Sequence, residues 1–414
     1  MKIEKASGFS RISVILSLIV LITTTQGRGQ PYHFDHLNTN DGLSQNSVWA
    51  ITKDSKGFMW FGTDDGLNRY DGYEFITYRN NPYDSLSISS NAITNIFQDS
   101  KNRLWIGTKN GLNLYNSKNN SFRSFYSDDG DYANLIKTLC EDDMKGIWIG
   151  TGKGLKVIDS ASHKLVPFKT TIKNASILDF TIRNLIYDHN FWIATDSGLV
   201  NFDEKKDLLH IYKPYPSNTP KNRLTSLNLY QNNIWAGSFE NGFYIFDRKT
   251  KTFTSYSHND SDNNTVVSNE VTKAIIIHGK AWICTPFGLS IFDPVTKKFQ
   301  NLVHDQQEPT SLSTSALAEA LEDDQGIIWL GSRAGINIFS GNSYKFKHFK
   351  QNAGSANTLA ENIVGAITQN DQGDILIATD GGGVSIFNPQ TKKFTTLMHN
   401  PDNPNSQEIK FSRC

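Results

Sequence analysis

The sequence predicts an all-β protein, a seven-bladed β-propeller of four-stranded blades followed by one extra blade that would begin a second propeller. Two observations carry this. The phrase Trp-x-Gly-Thr-x-x-Gly-Leu returns along the whole chain, and turn signals divide each return into four short strand-like runs. The phrase stands at Trp60–Leu67, Trp105–Leu112 and Trp148–Leu155. It drifts through Trp192-Ile193-Ala194-Thr195, Trp235-Ala236-Gly237-Ser238, Trp282-Ile283-Cys284-Thr285, Trp329-Leu330-Gly331-Ser332 and Leu376-Ile377-Ala378-Thr379. Steps of 45, 43, 44, 43, 47, 47 and 47 residues separate the copies. That is the length of a propeller blade, and a parallel β-helix needs a much shorter period.

Taken in order, the second repeat shows the elements. Ala92 to Gln98 is an apolar strand, Asp99 to Asn102 turns, Arg103 to Thr108 returns, and Lys109-Asn110-Gly111 turns again. Leu112 to Tyr115 and Ser121 to Tyr126 complete the blade. No stretch carries a helical pattern. The hairpin glycines supply positive φ without a Cβ penalty. The tryptophans Trp60, Trp105, Trp148, Trp192, Trp235, Trp282 and Trp329 fall mid-blade, where the faces of neighbouring blades press together. Blades four to six carry shorter first hairpins, built on His189-Asn190, Asn232-Asn233 and Gly279-Lys280.

Closure sets the count. Phe34-Asp35-His36-Leu37 matches the outer strand that precedes later repeats, such as Phe75 to Tyr78 or Phe346 to Phe349. An outer strand written first can pair only with the last blade, which removes the exposed sheet edges. Residues 31–341 then form one seven-bladed ring and 343–398 an additional blade, with an unpatterned end at 399–414. A single eight-bladed ring is the alternative.

Residues 1–27 carry Lys2, Lys5 and Arg11 and then an apolar run from Ile12 to Ile22, the pattern of a secretory signal peptide. A periplasmic or exported location follows, with a membrane reached only through an uncleaved signal or a missing C-terminal part. Charge is balanced, 41 basic against 41 acidic side chains, which argues against a nucleic-acid partner. Cys140, Cys284 and Cys414 lie in different repeats and read as free thiols, the first two buried, rather than as a disulfide framework.

The phrase Asp-x-x-Gly-x-x-Trp-x-Gly-Thr-x-x-Gly-Leu, intact from Asp54 to Leu67, resembles the regulator-propeller repeat of hybrid two-component sensors. The leader Asp41–Val48 resembles that family too, as do the linkers Ser85-Leu86-Ser87, Ser311-Leu312-Ser313 and Thr358-Leu359-Ala360. The resemblance covers residues 34–398. It implies two periplasmic propellers, an immunoglobulin-like segment, a membrane helix, a histidine kinase, a receiver and a DNA-binding output domain. It also implies oligosaccharides from complex glycans as the signal. This chain departs from the pattern after the first repeat of the second propeller, so it is expected to sense rather than to signal by itself.

Ligands of propellers lie on the face carrying the second hairpins and the inter-blade loops. The hairpin candidates are Asp64, Asp65, Asp196, Phe239, Glu240, Asn241, Phe287 and Arg333, with Tyr83 and Tyr215 in inter-blade loops. Aromatic rings beside carboxylates, amides and a guanidinium suit a sugar. Lys137, Arg183 and Lys273 on the innermost strands are placed to point into the central channel and would favour an anionic sugar. An oligosaccharide is therefore the expected ligand, with no cofactor or metal and a homodimer as the candidate assembly. A scaffold for protein partners is a second reading, and a lyase or glycosidase a third. The repeats resemble streptogramin lyase propellers distantly, yet no His and Glu set carries over. His258 and His304 recur at one repeat position and read as wet surface, and Asp128 to Asp131 lacks calcium-loop spacing.

Overall fold

A computed structural model of the chain describes residues 32–169, 179–206, 208–216, 222–341, 349–351 and 357–398. The leader, Cys414, the unpatterned end and most of the Phe346 to Phe349 strand lie outside them. The chain divides into two compact units after Gly341. The described residues form eight four-stranded antiparallel sheets, seven in the first unit and one in the second. No described helix is long and apolar enough to cross a membrane.

Each sheet of the first unit runs from an inner strand to an outer one in chain order, as in Val48–Lys53, Met59–Thr63, Gly66–Tyr70 and Phe75–Tyr78. The seventh differs. Its strands Leu317–Glu322, Ile327–Ser332 and Gly335–Ser340 are completed by Asp35–Leu37, with Asp35 opposite Ile338. His33 Nδ1 meets Thr310 Oγ1 at 2.6 Å and His36 Nε2 meets the Ser311 carbonyl at 2.9 Å, so both histidines clamp the closing strand. Core clusters join each sheet to the next, and one cluster unites Phe61 of the first with Trp329 of the seventh.

Every residue of the repeated phrase has a physical task. The seven tryptophans are buried, between 1% and 7% exposed, in these inter-sheet cores. Four of their indoles donate to the aspartate six residues upstream: Trp60 to Asp54 at 2.8 Å, Trp105 to Asp99 at 2.9 Å, Trp148 to Asp142 at 2.6 Å and Trp329 to Asp323 at 3.2 Å. The same carboxylates cap their turns, as Asp54 does by accepting from the amides of Lys56 and Phe58. A Cβ on Gly107 would sit 2.6 Å from Ile136 Cγ2 of the next sheet, so the glycine is what lets neighbouring blades approach. Thr108 Oγ1 donates to the Gly111 carbonyl and accepts from the Asn110 amide, closing a hairpin in which Gly111 has φ 104°.

The short first hairpins of blades four to six are present, with turns centred one residue earlier on Gln231-Asn232 and His278-Gly279 in blades five and six and on His189 in blade four. The shortening removes the capping aspartate. In consequence the Trp192 and Trp235 indole N–H groups are buried without an acceptor among the described residues.

The inter-blade linkers correct the sequence reading at one place. Leu86 is 55% exposed, whereas Ile88 is buried and the Ser89 amide donates to Asn113 Oδ1 at 2.9 Å. The unit equivalent to Ser311-Leu312-Ser313 is therefore Ser87-Ile88-Ser89, because Ser313 bonds Asn337 in the same way. His258 and His304 are structural too. Their Nδ1 atoms meet the Val266 and Leu312 carbonyls at 2.8 and 2.6 Å, each pinning the loop that enters the next blade. A four-residue helix, Asp131–Asn134, stands in the loop between blades two and three, where the sequence predicts none.

The second unit is a sheet of Val364–Gln369, Ile375–Thr379, Gly383–Asn388 and Lys393–Leu397. Phe349, Phe387 and Phe394 pack together with ring centroids 4.7 to 5.3 Å apart. Its inner strand is exposed at every position.

Candidate functional site

The inner strands of the first unit do not run straight into their neighbours. A register shift falls at the second residue of six of them, at Trp49, Thr94, Lys137, Arg183, Thr225 and Ala318. In the sixth blade the equivalent residue is Thr272, just ahead of Lys273–Ile277. A bulge leaves one residue unpaired and re-aims its side chain. Where that residue is threonine it stitches the blade to the next: Thr94 to the Ile136 carbonyl at 2.6 Å, Thr225 to Val271 at 2.7 Å and Thr272 to Leu317 at 2.9 Å. Trp49, Lys137 and Arg183 replace the stitch with longer side chains.

Two of those side chains, Trp49 and Arg183, meet an aspartate at the first residue of the second hairpin. Trp49 Nε1 donates to Asp64 Oδ2 at 2.8 Å, and Lys109 Nζ reaches Asp64 Oδ1 at 3.3 Å from the next blade. In blade four the Arg183 guanidinium pairs with Asp196, and Arg223 Nε of blade five lies 3.3 Å from the same carboxylate without alignment to any acceptor. Arg223 also lies over the Phe239 ring at 4.8 Å, and Arg333 over the Trp49 ring at 6.0 Å. A polar and aromatic arc thus joins the bulge residues of the inner strands to the second hairpins, with Lys109, Lys137, Arg183, Arg223 and Arg333 set against Asp64 and Asp196.

Lys137 is the odd member. Its own hairpin carries Gly152 where blades one and four carry Asp64 and Asp196. Among the described residues its ammonium has no ion-pair partner. Burial, then Arg183 and more weakly Lys109, hold it below the ordinary lysine range, with Asp196 opposing them.

Of the residues expected from sequence, Asp64, Asp196, Phe239, Arg333, Lys137 and Arg183 belong to this arc. Lys273 does not share the position of Lys137 and Arg183. It sits one residue further along its strand and pairs with Glu319 at 2.7 Å. Asp65 faces the inter-blade loop, clasped by Arg79 Nη2 at 3.0 Å and Asn91 Nδ2 at 3.3 Å. Asn241 is buried and donates to Ser255, while Glu240 beside it is exposed. Phe287 occupies the second hairpin position rather than the first and is 62% exposed, so it does not share the placement of Phe239. Tyr83 is 99% exposed, and Tyr215 packs half-buried against the core between blades four and five.

Sequence reasoning passed over Trp49, Lys109 and Arg223 as site residues. Trp49 had a signal: it is the one tryptophan outside the repeat position. No group of three or more His, Cys, Asp or Glu among the described residues is arranged to hold a metal ion. Asp128 and Asp129 instead pair with Lys164 at 2.7 Å and with the buried Lys156. Cys140 and Cys284 are buried free thiols, and burial pushes the Cys140 thiol up to about 12.

The repeats match a known family model, the two component regulator propeller, over residues 42–65 and 87–110. The chain carries regulator-propeller repeats. A stretch of 77 residues, 19% of the chain, is 47% identical to a histidine kinase of Formosa agariphila and spans 6% of that protein. The chain also superposes on the extracellular domain of a hybrid two-component system from B. thetaiotaomicron. The TM-score is 0.64 at 26% identity, over 89% of this chain and 49% of that one. A virginiamycin B lyase from Staphylococcus aureus shares the fold alone, with TM-score 0.56 at 12% identity over 75% of this chain and 99% of that one. The chain thus spans about half the length of the two-component structure it matches.

Proposed function

We propose that this chain is a ligand-sensing region of an extracytoplasmic two-component regulator, and that its ligand is an oligosaccharide held at the channel mouth of the first unit. The observation that carries the reading is the arc from Arg333 and Trp49 to Arg223 and Phe239. A half-buried indole offers a flat apolar face to sugar C–H groups, while the Asp64 and Asp196 carboxylates and the guanidinium groups beside them offer acceptors and donors to hydroxyls. The two-component relatives support a sensory role, and the apolar leader supports export. The arc suits binding: its carboxylates are paired with cations that hold them in place.

The test is isothermal calorimetry of the full chain against a panel of neutral and acidic oligosaccharides. Binding that Trp49→Ala weakens without lowering the melting temperature is the expected result. Binding that survives Trp49→Ala and Arg223→Ala would move the ligand away from the mouth.

A further inference from the structure

We propose that the ligand carries an acidic group, a carboxylate or sulfate on the sugar, and that Lys137 is its anchoring cation. This rests on the sensory reading above and names the ligand class of the same site. The reason lies in how the bulge residues are partnered. Trp49 and Arg183 each meet an aspartate on the first position of their own hairpin. The same position of Lys137's own hairpin is Gly152, which has no side chain to offer. Its neighbours on the arc are Lys109, which turns to Asp64, and Arg183, which turns to Asp196. Asp64 is thereby shared between Trp49 and Lys109, and Asp196 lies beside both Arg183 and Arg223, whose Nε–H is buried without an aligned acceptor.

Like charges gathered at a partly dry surface repel, and the repulsion is relieved by an anion placed among them. A planar or tetrahedral oxyanion between Lys137, Lys109 and Arg183 would accept charge-assisted hydrogen bonds from all three. On the opposite side of the ring the one cation of the arc is Arg333, which lies over the Trp49 ring rather than among other cations. Lys273 is satisfied by Glu319, Thr272 by the Leu317 carbonyl, and the bulge residue of blade seven is Ala318. The asymmetry orients the ligand: acidic group over blades two to four, apolar sugar face toward Trp49. A neutral oligosaccharide would leave the cations unrelieved.

The experiment titrates the full chain with an oligogalacturonate, a sulfated chondroitin oligosaccharide and a neutral cello-oligosaccharide of matched length, at low and high salt. The expected result is binding of an acidic probe that weakens with salt, falls about tenfold or more in Lys137→Gln, and recovers in Lys137→Arg. Whether the carboxylated or the sulfated probe binds more tightly identifies the anion. Acidic binding that Lys137→Gln leaves unchanged would overturn the assignment of Lys137. Binding of the neutral probe alone, weakened by Trp49→Ala, would overturn the acidic ligand while the sensory reading stands. A folded chain that binds none of the three would overturn both. Melting curves of each variant separate lost binding from lost folding.

Discussion

The Trp105 indole donates to the Asp99 carboxylate at 2.9 Å, while the equivalent indole of Trp192 is buried with no described acceptor. One repeat position therefore exists in two energetic states within the same ring. Trp105→Phe removes one donor from a buried carboxylate that Arg103 still holds, whereas Trp192→Phe removes an unsatisfied group. The first substitution is expected to cost about 1–3 kcal/mol more than the second. Urea unfolding of the two variants measures the difference, and equal losses would mean that the indole bond contributes nothing.

The same aspartates make the ring acid-sensitive. Burial pushes the carboxyls of Asp99 and Asp323 up, but hydrogen bonds from the indoles and turn amides outweigh it and leave both below the ordinary range. A carboxyl lowered in the folded state contributes stability that is present above about pH 4 and lost as the pH falls through its folded value. Melting temperature is expected to drop below about pH 4. Asp99→Asn and Asp323→Asn should lower it at neutral pH and flatten its decline in acid.

Lys137 shares the sign of that linkage but enters as a penalty on the folded state rather than a gain. Its ammonium is held low by burial and by Arg183 and Lys109, against the pull of Asp196. The unfolded chain therefore binds more protons between the lowered value and the ordinary one, and this residue's contribution to stability rises with pH across that window. Lys137→Met is expected to stabilise the ring by roughly 0.5–1 kcal/mol near neutral pH while removing the anion anchor. A thermal melt of the variant without ligand is the measurement.

Aromatic residues on the loop face should separate by position. Trp49→Ala is expected to weaken oligosaccharide binding by about 2 kcal/mol, as loss of a central aromatic contact does. Phe287→Ala should change it by less than about 0.5 kcal/mol, since the ring is exposed at the second hairpin position. Calorimetry on the two variants compares them directly.

Trp148 tests the blade core. Its ring lies 4.4 Å from Phe191 and 4.7 Å from Phe168 by centroid, and its indole caps Asp142. Trp148→Ala should cost roughly 3–5 kcal/mol in a denaturant titration.

The fold was legible because each feature of the repeat answers a local demand that recurs. Gly107 permits close approach, Thr108 closes a hairpin, Trp105 fills an interface, and the out-of-phase strand at Asp35 points to closure. The site was less legible because it is assembled from departures. Trp49, Lys137 and Arg183 are visible as substitutions for a threonine only once the bulge aligns the inner strands. That alignment also separates Lys273 from them by one residue. Lys109 and Arg223 enter by reaching across to carboxylates on neighbouring blades, which no single repeat reveals. The linker misreading at Leu86 had the same origin, since Ser-Leu-Ser and Ser-Ile-Ser overlap by one serine and only burial chooses between them.

Closure by Asp35–Leu37 places the entry and exit of the first unit one strand apart, with His33 and Thr310 touching across 277 residues of chain. The two ends of the ring are therefore near neighbours in space although they are distant in synthesis. Tension applied between them loads a three-residue seam and spares the blades. A circular permutant, opened at an inter-blade loop and joined across the old ends by a short linker, would turn that seam into continuous chain and keep every core contact.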